Sequence, residues 1–150
     1  MIICISSDHA GYDLKKLVAD HLTELGHEVI LAGATSGDVP FSYVEAGQAC
    51  AEDVLSGKVD RGIVICGTGL GISITANKFK GIRCALCTDE FMARMSRQHN
   101  DANMLAMGAR VIGKGLAFSI TDAFLTEEFA GGRHAERVND IKAQEEKLFK

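Results

Sequence analysis

Gly62-Ile63-Val64-Ile65-Cys66-Gly67-Thr68-Gly69-Leu70-Gly71 is a β-branched apolar run that stops at a thiol and opens into a glycine-rich turn. Such a run reads as a buried strand, here Arg61 to Cys66. The glycines let backbone N–H groups converge on one anionic atom with no side chain in the way. The Cys66 thiol stands beside them, where such a field would favour the thiolate. A candidate base and a candidate anion hole are therefore adjacent in the chain. The plainer reading of the same glycines is a tight strand-to-helix turn with no ligand.

On both sides of this segment, strand-like and helix-like patterns alternate. Toward the N-terminus, Ile2 to Ser6 reads as a strand, and Leu14, Leu17, Val18, Leu22 and Leu25 follow helical spacing up to a stop at Gly26. Glu28 to Leu31 is a second strand, followed by an irregular stretch around Gly33 to Ser42 and a helix from Val44 to Leu55. Beyond the glycine loop a helix is expected over Ile72 to Lys78, then a strand over Ile82 to Cys87. Thr88 is placed to cap the next helix, which runs through Phe91, Met92 and Met95. A short fifth strand over Met104 to Met107 and helices over Gly115 to Phe124 and Arg133 to Leu148 complete the pattern.

Repeated βα units with short connections predict an α/β chain: a three-layer αβα, Rossmann-like single domain over residues 1–150 with a five-stranded parallel sheet. Right-handed crossovers put all strand C-termini along one edge, where open α/β sheets bind ligands. Ser7-Asp8-His9, Cys66 to Gly71 and Thr88-Asp89 all fall at such ends. The pattern does not specify the strand order.

The bulk properties narrow the function. A net charge of −4 argues against nucleic-acid binding, which needs a basic face. No stretch of about 18 apolar residues suggests a membrane span. The opening residues Met1 to Leu14 lack the basic and apolar regions of a secretory leader, and five cysteines without a leader suit a reducing cytoplasm.

The glycine loop is not the dinucleotide fingerprint, because its third glycine comes one residue too early, although Asp89 lies about 20 residues further on, where that fingerprint has its acid. Cys4, Cys50, Cys84 and Cys87 read as small buried hydrophobes. Cys84 and Cys87 are spaced as C-x-x-C, but within a strand they point to opposite faces, so neither a zinc site nor a redox pair is expected. His21 and His27 read as solvated. His9 stands at a strand end, and His99 lies in the polar turn Arg97-Gln98-His99-Asn100-Asp101. No histidine or carboxylate spacing suggests a metal. Arg133 and Arg137, four apart after Gly131-Gly132, project from one helix face and could grip a phosphate, with a solvated helix beside Glu136 and Asp140 as the alternative. Arg110 could converge on the same anion.

Together these segments resemble the type B ribose-5-phosphate isomerases of the ribose/galactose-phosphate isomerase family. The matching blocks are Ser7-Asp8-His9-Ala10-Gly11, Ile65 to Ser73 with Ala76-Asn77-Lys78, and Ser96 to Asp101, followed by Gly108 to Gly113 and Gly131-Gly132-Arg133-His134. They span nearly the whole chain in the family's order. The resemblance implies interconversion of D-ribose 5-phosphate and D-ribulose 5-phosphate through a cis-enediolate, without metal or cofactor. It puts the proton-transferring base on Cys66, since Thr75 stands where some relatives carry a glutamate. It puts ring opening on His99, and hydroxyl protons on Asp8 and Thr68. The loop Gly67, Gly69, Leu70 and Gly71 would hold the enediolate oxygen, and Asn100 would touch the sugar. His9, Arg110, Arg133, His134 and Arg137 would hold the phosphate.

The resemblance further implies a homodimer or tetramer with shared active sites, in which His99, Asn100 and Arg110 reach the partner's site and the helix over 133–148 packs at the interface. One departure stands out. Val39 in Asp38-Val39-Pro40 replaces a tyrosine common in relatives, which keeps a six-carbon substrate such as D-allose 6-phosphate as an alternative. A reading of another class is a non-catalytic nucleotide- or phosphate-binding module.

Overall fold

β1 (Ile2–Ser7) and β3 (Arg61–Cys66) pair side by side in the sheet of a computed structural model that describes residues 1–149. With β2 (Glu28–Gly33), β4 (Cys84–Leu86) and β5 (Met104–Gly108) they form a parallel five-stranded sheet in the order β2-β1-β3-β5-β4. The helices are α1 (Tyr12–Glu24), α2 (Tyr43–Leu55), α3 (Leu70–Ala76), α4 (Glu90–Gln98), α5 (Lys114–Thr126) and α6 (Arg133–Leu148). The α/β, Rossmann-like architecture expected from the alternating pattern is the one observed.

Strand alternation sorts the core into two layers. Ile3, Ile5, Ile63, Ile65, Leu105 and Met107 pack with Leu14, Val18 and Leu22 of α1, Ala93 of α4 and Ile120 and Phe124 of α5. Cys4, Val64, Cys66, Met104 and Ala106 pack on the other face with Ala46, Cys50 and Ala51 of α2 and Ile72 and Ala76 of α3. Cys87 belongs to the first layer and Cys84 lies against the second, so the C-x-x-C does point to opposite faces.

The connection from β1 leads outward to β2, and the chain then returns across β1 to β3. The loops after β1 and β3 therefore diverge from adjacent strands, which is the crevice open α/β sheets use. Asp8 N donates to Ile65 O at 3.3 Å and ties the two loops together at their root.

Several local expectations are corrected. Helix α3 begins at Leu70, so Leu70 and Gly71 form its first turn; Gly69 precedes it at φ +82°, a left-handed conformation glycine adopts freely. The cap of α4 is Asp89, not Thr88: Asp89 Oδ1 accepts from Met92 N at 2.8 Å, while the Thr88 hydroxyl meets the Met92 sulfur. His21 is not a solvated side chain. Its Nε2 meets Asp122 Oδ1 at 2.8 Å and its ring stacks on Phe118, joining α1 to α5. β4 has three residues rather than six because Asn77 pairs with it in place of another strand. Asn77 Nδ2 donates to Cys84 O at 2.9 Å and Cys84 N donates to Asn77 Oδ1 at 2.8 Å, which blunts an exposed sheet edge.

Candidate active site

Cys66 is the last residue of β3, 4% exposed, with its side chain in the α2/α3 layer. The turn folds back on it, and Gly69 N donates to Cys66 Sγ at 3.2 Å. Thr68 Oγ1 accepts from Leu70 N at 3.2 Å and so lies over the helix start. Three close approaches hold the loop. A Cβ on Gly69 would come within 2.5 Å of Leu86 Cδ1, and one on Gly108 within 2.5 Å of the Thr68 carbonyl. A Cβ on Gly71 would come within 2.6 Å of the Tyr43 ring.

Asp8 flanks this loop from the end of β1, its Oδ1 accepting from Gly11 N at 3.0 Å. His9 is oriented by the irregular segment before α2: its Nδ1 lies 3.1 Å from Phe41 N and 3.3 Å from Phe41 O. Arg110 belongs to the same group. Its N donates to Gly67 O at 2.9 Å, and its Nη1 lies 3.2 Å from where a Gly67 Cβ would stand. Its guanidinium thus faces the glycine loop of its own chain, where the resemblance had it reaching the partner's. Tyr43, which opens α2 against Gly71, is a site residue that motif reading missed. Its one sequence signal was an aromatic directly after the cap Ser42.

His99, Asn100, Arg133, His134 and Arg137 are elsewhere. Helix α4 leaves the C-terminal end of β4 and runs back, so its C-cap His99 lies at the edge where strands begin. Ala130 N donates to Gln98 O at 3.0 Å, which brings the start of α6 to the same place. There the His99 and His134 rings stack with centroids 3.9 Å apart and 10° between planes. Desolvation, then the neighbouring His99 and Arg133 charges, hold His134 below the usual histidine range. Arg137 is exposed and meets Asp140 Oδ2 at 3.4 Å. Four residue steps along β3 separate the Gly62–Met104 pair from the Cys66–Gly108 pair, about 13 Å of strand. One chain therefore carries two groups of polar residues at opposite sheet edges and does not bring them together.

A groove of about 480 Å³ lies between the β4 edge and α6, lined by Arg83, Cys84, Asn100, Ile141 and Leu148. It is not at Cys66. Helix α6 is held lightly there, with Val138 its buried residue and Glu145 accepting from Gly81 N at 2.7 Å. Among the described residues no helix is long and apolar enough to cross a membrane.

A doubly wound parallel sheet with a buried thiol inside a glycine loop at its switch point is the architecture of an α/β enzyme, with the loops after β1 and β3 as its candidate site. Residues 3–141 match the family model described as Ribose/Galactose Isomerase. The chain belongs to this family and is an isomerase. It is 48% identical over 145 residues to ribose-5-phosphate isomerase B of Escherichia coli, covering 97% of each chain. The structure of Clostridium thermocellum ribose-5-phosphate isomerase B superposes with a TM-score of 0.96 at 56% identity, over 98% of this chain and 99% of that one. D-Erythrulose-4-phosphate isomerase of Pectobacterium atrosepticum is 41% identical, over 93% of this chain and 91% of its own.

Proposed function

We propose that this isomerase interconverts D-ribose 5-phosphate and D-ribulose 5-phosphate by proton transfer through a cis-enediolate, in an active site completed by a second copy of the chain. The observation that carries the reading is the Cys66 sulfur enclosed by its own glycine loop, with Gly69 N–H on it at 3.2 Å and Asp8 and Arg110 flanking the loop. The strong similarity to proteins named ribose-5-phosphate isomerase B supports the pentose.

In this reading the sugar phosphate enters in its cyclic form. His99 of the second copy gives a proton to the ring oxygen while Asp8 takes the proton of the anomeric hydroxyl, and the open aldehyde results. The Cys66 thiolate removes the C2 proton. The charge that develops on O1 is met by N–H groups of the loop from Gly67 to Gly71, a preorganised arrangement in which one lost donor costs about 10²–10³ in rate. Cys66 then returns the proton to C1, Thr68 and Asp8 relay the hydroxyl proton, and the ketose forms. His9 and Arg110 from one chain and Arg133, His134 and Arg137 from the other hold the phosphate, so that C1 and C2 stay over the sulfur. No step calls for a metal or an organic cofactor.

Two observations support the second copy. The groups divide between opposite sheet edges, and the apolar side chains Ile141 and Leu148 of α6 stand exposed beside an open groove. Helix α6 accordingly packs at the subunit interface. A single domain over residues 1–150 working in the cytoplasm fits the same reading.

Val39 supports a second reading on substrate. It is 66% exposed in the segment that orients His9, and a valine there leaves more room than a tyrosine. A six-carbon sugar phosphate would then be accepted alongside the pentose. Comparing kcat/KM for ribose 5-phosphate and allose 6-phosphate tests this, since one hydroxymethylene is worth about 1–3 kcal/mol.

The deciding experiment is conversion of ribose 5-phosphate by the purified protein and by Cys66→Ala. The wild type forms ribulose 5-phosphate and the variant loses about 10³-fold in kcat. Retained activity in Cys66→Ala would remove the base, and no turnover by the wild type would remove the substrate.

A further inference from the structure

We propose that Asp101, gripped by Arg97 and Arg83, is the positioning residue that sets His99 and Asn100 for ring opening. The proposal rests on the reading of His99 given above. Among the described residues Asp101 is the one non-glycine with positive φ, +46°. Left-handed backbone is unfavourable for side chains with a Cβ, and a glycine would end helix α4 at less cost. The chain instead places a carboxylate there and surrounds it with two guanidiniums.

The grip is detailed. Arg97, 6% exposed, donates from Nη1 to Asp101 Oδ1 at 2.9 Å and to Ala102 O at 2.7 Å. Arg83 donates from Nη2 to Asp101 O at 2.7 Å and meets Asp101 Oδ2 at 3.5 Å. Arg83 Nε also donates to Asn100 O at 3.0 Å. The three successive carbonyls from Asn100 to Ala102 thus each receive a guanidinium N–H. Asp101 N donates to Arg97 O and Ala102 N to Ser96 O, closing the turn on the helix.

Among the described residues nothing comparable holds the His99 side chain. Its ring meets the His134 ring face to face, and neither ring orients the other by a hydrogen bond. The direction of the His99 imidazole therefore follows from the backbone just after it, which is what the Asp101 clamp fixes. Two arginines around one carboxylate, Arg97 buried and Arg83 half-buried, exceed what a helix stop requires. Their geometry makes sense where a small displacement matters, and a shift of about 1 Å in a catalytic group can cost 10²-fold in rate.

The test separates ring opening from proton transfer. Ribose 5-phosphate is cyclic, whereas ribulose 5-phosphate cannot close a furanose because its O5 is esterified. The forward kcat/KM on ribose 5-phosphate needs ring opening. Exchange of the C1 proton of ribulose 5-phosphate with deuterium oxide runs through Cys66, the glycine loop and the hydroxyl relay and needs no ring opening. Asp101→Asn keeps the size and the tolerance of left-handed backbone but removes the charge, and Arg83→Lys, which keeps the charge and loses the fork, is measured beside it.

Both variants are expected to lose about 10- to 100-fold in forward kcat/KM while C1 exchange stays within about twofold of wild type. His99→Asn shows the same split, larger. Equal losses in both measurements would mean a merely structural role and overturn the proposal, as would full activity. If His99→Asn separates the two reactions and the clamp variants do not, the proposal alone falls. If His99→Asn does not separate them, the ring-opening reading falls and the proposal with it.

Discussion

Cys66 closes β3 at the C-terminal edge of the sheet, and His99 caps α4 at the opposite edge of the same chain. The β3 strand between those edges is about 13 Å long, too far for two groups to act on adjacent carbons of one sugar. An isologous contact between two copies can bring each Cys66 against the other chain's His99, because a two-fold axis exchanges the edges.

Mixing inactive variants tests that arrangement. Cys66→Ala and His99→Asn proteins, each of low activity alone, should regain activity after joint unfolding and refolding. Random pairing makes half of the dimers mixed, and each mixed dimer has one intact site, so about a quarter of wild-type kcat is expected. Complementation that fails in dimers shown by mass to be mixed would put Cys66 and His99 of one chain in the same site.

Gly69→Ala strikes the loop directly. The new Cβ would meet Leu86 Cδ1 at 2.5 Å and the Met107 carbonyl carbon at 2.9 Å, at a φ of +82°. A stability loss of about 1–3 kcal/mol is expected from the backbone conformation alone. Because the Gly69 N–H points at Cys66 Sγ, kcat should fall by about 10²-fold or more while a Gly57→Ala control, with nothing within 4 Å of its Cβ, keeps its rate. Urea unfolding and steady-state kinetics on the two variants read both effects.

The thiols outside the site should be inert. Burial pushes Cys87 up to about 12, with the Asp89 charge adding to it, and burial raises Cys84 further. At pH 8 the Cys87 thiolate fraction is then about 10⁻⁴. Mass spectrometry after iodoacetamide at pH 8 should find Cys84 and Cys87 unmodified in the native protein and fully alkylated in guanidinium. Labelling of either in the native state would contradict the burial argument.

Lys15 gives a pH-dependent stability term. Its buried ammonium donates to Ala32 O at 2.8 Å and Ala34 O at 2.5 Å, and among the described residues no carboxylate is a hydrogen-bond partner. Desolvation, then the Lys16 charge, hold it below 10.5. Lys15→Met removes both side-chain hydrogen bonds and should cost about 1–3 kcal/mol at pH 7. Between the lowered native value and 10.5 the unfolded chain binds more protons than the native one, so wild-type stability rises with pH across that window. The variant lacks this gain. Urea unfolding at pH 7 and pH 10 should find the gap between the two proteins wider at pH 10.

Much of the fold was legible because its signals are local. The run Arg61 to Cys66 is a strand end to end as its β-branched pattern indicates, and the helix stops at Gly26 and Gly57 follow from left-handed backbone at +93° and +79°. Misreadings arose where a partner outside the periodic pattern competed. Asn77 supplies the edge of β4 from seven residues away, and Asp122 takes His21 out of solvent across 101 residues. Asp89 displaced Thr88 as a cap because extended backbone at Asp89 aims its carboxylate at Met92 N–H.

The site divides in the same way. The sequence by itself determined a thiol followed by a glycine loop at a strand end, since backbone freedom and side-chain identity are properties of single residues and their immediate neighbours. It also determined that Asp8, His9 and the arginines are available. Which of these meet was decided only by tertiary structure. The strand order brings Asp8 beside Cys66, the return of β5 sets Arg110 on Gly67, and the antiparallel run of α4 carries His99 to the far edge. Proximity between residues tens of positions apart depends on crossover direction and helix length, which no short stretch of chain contains.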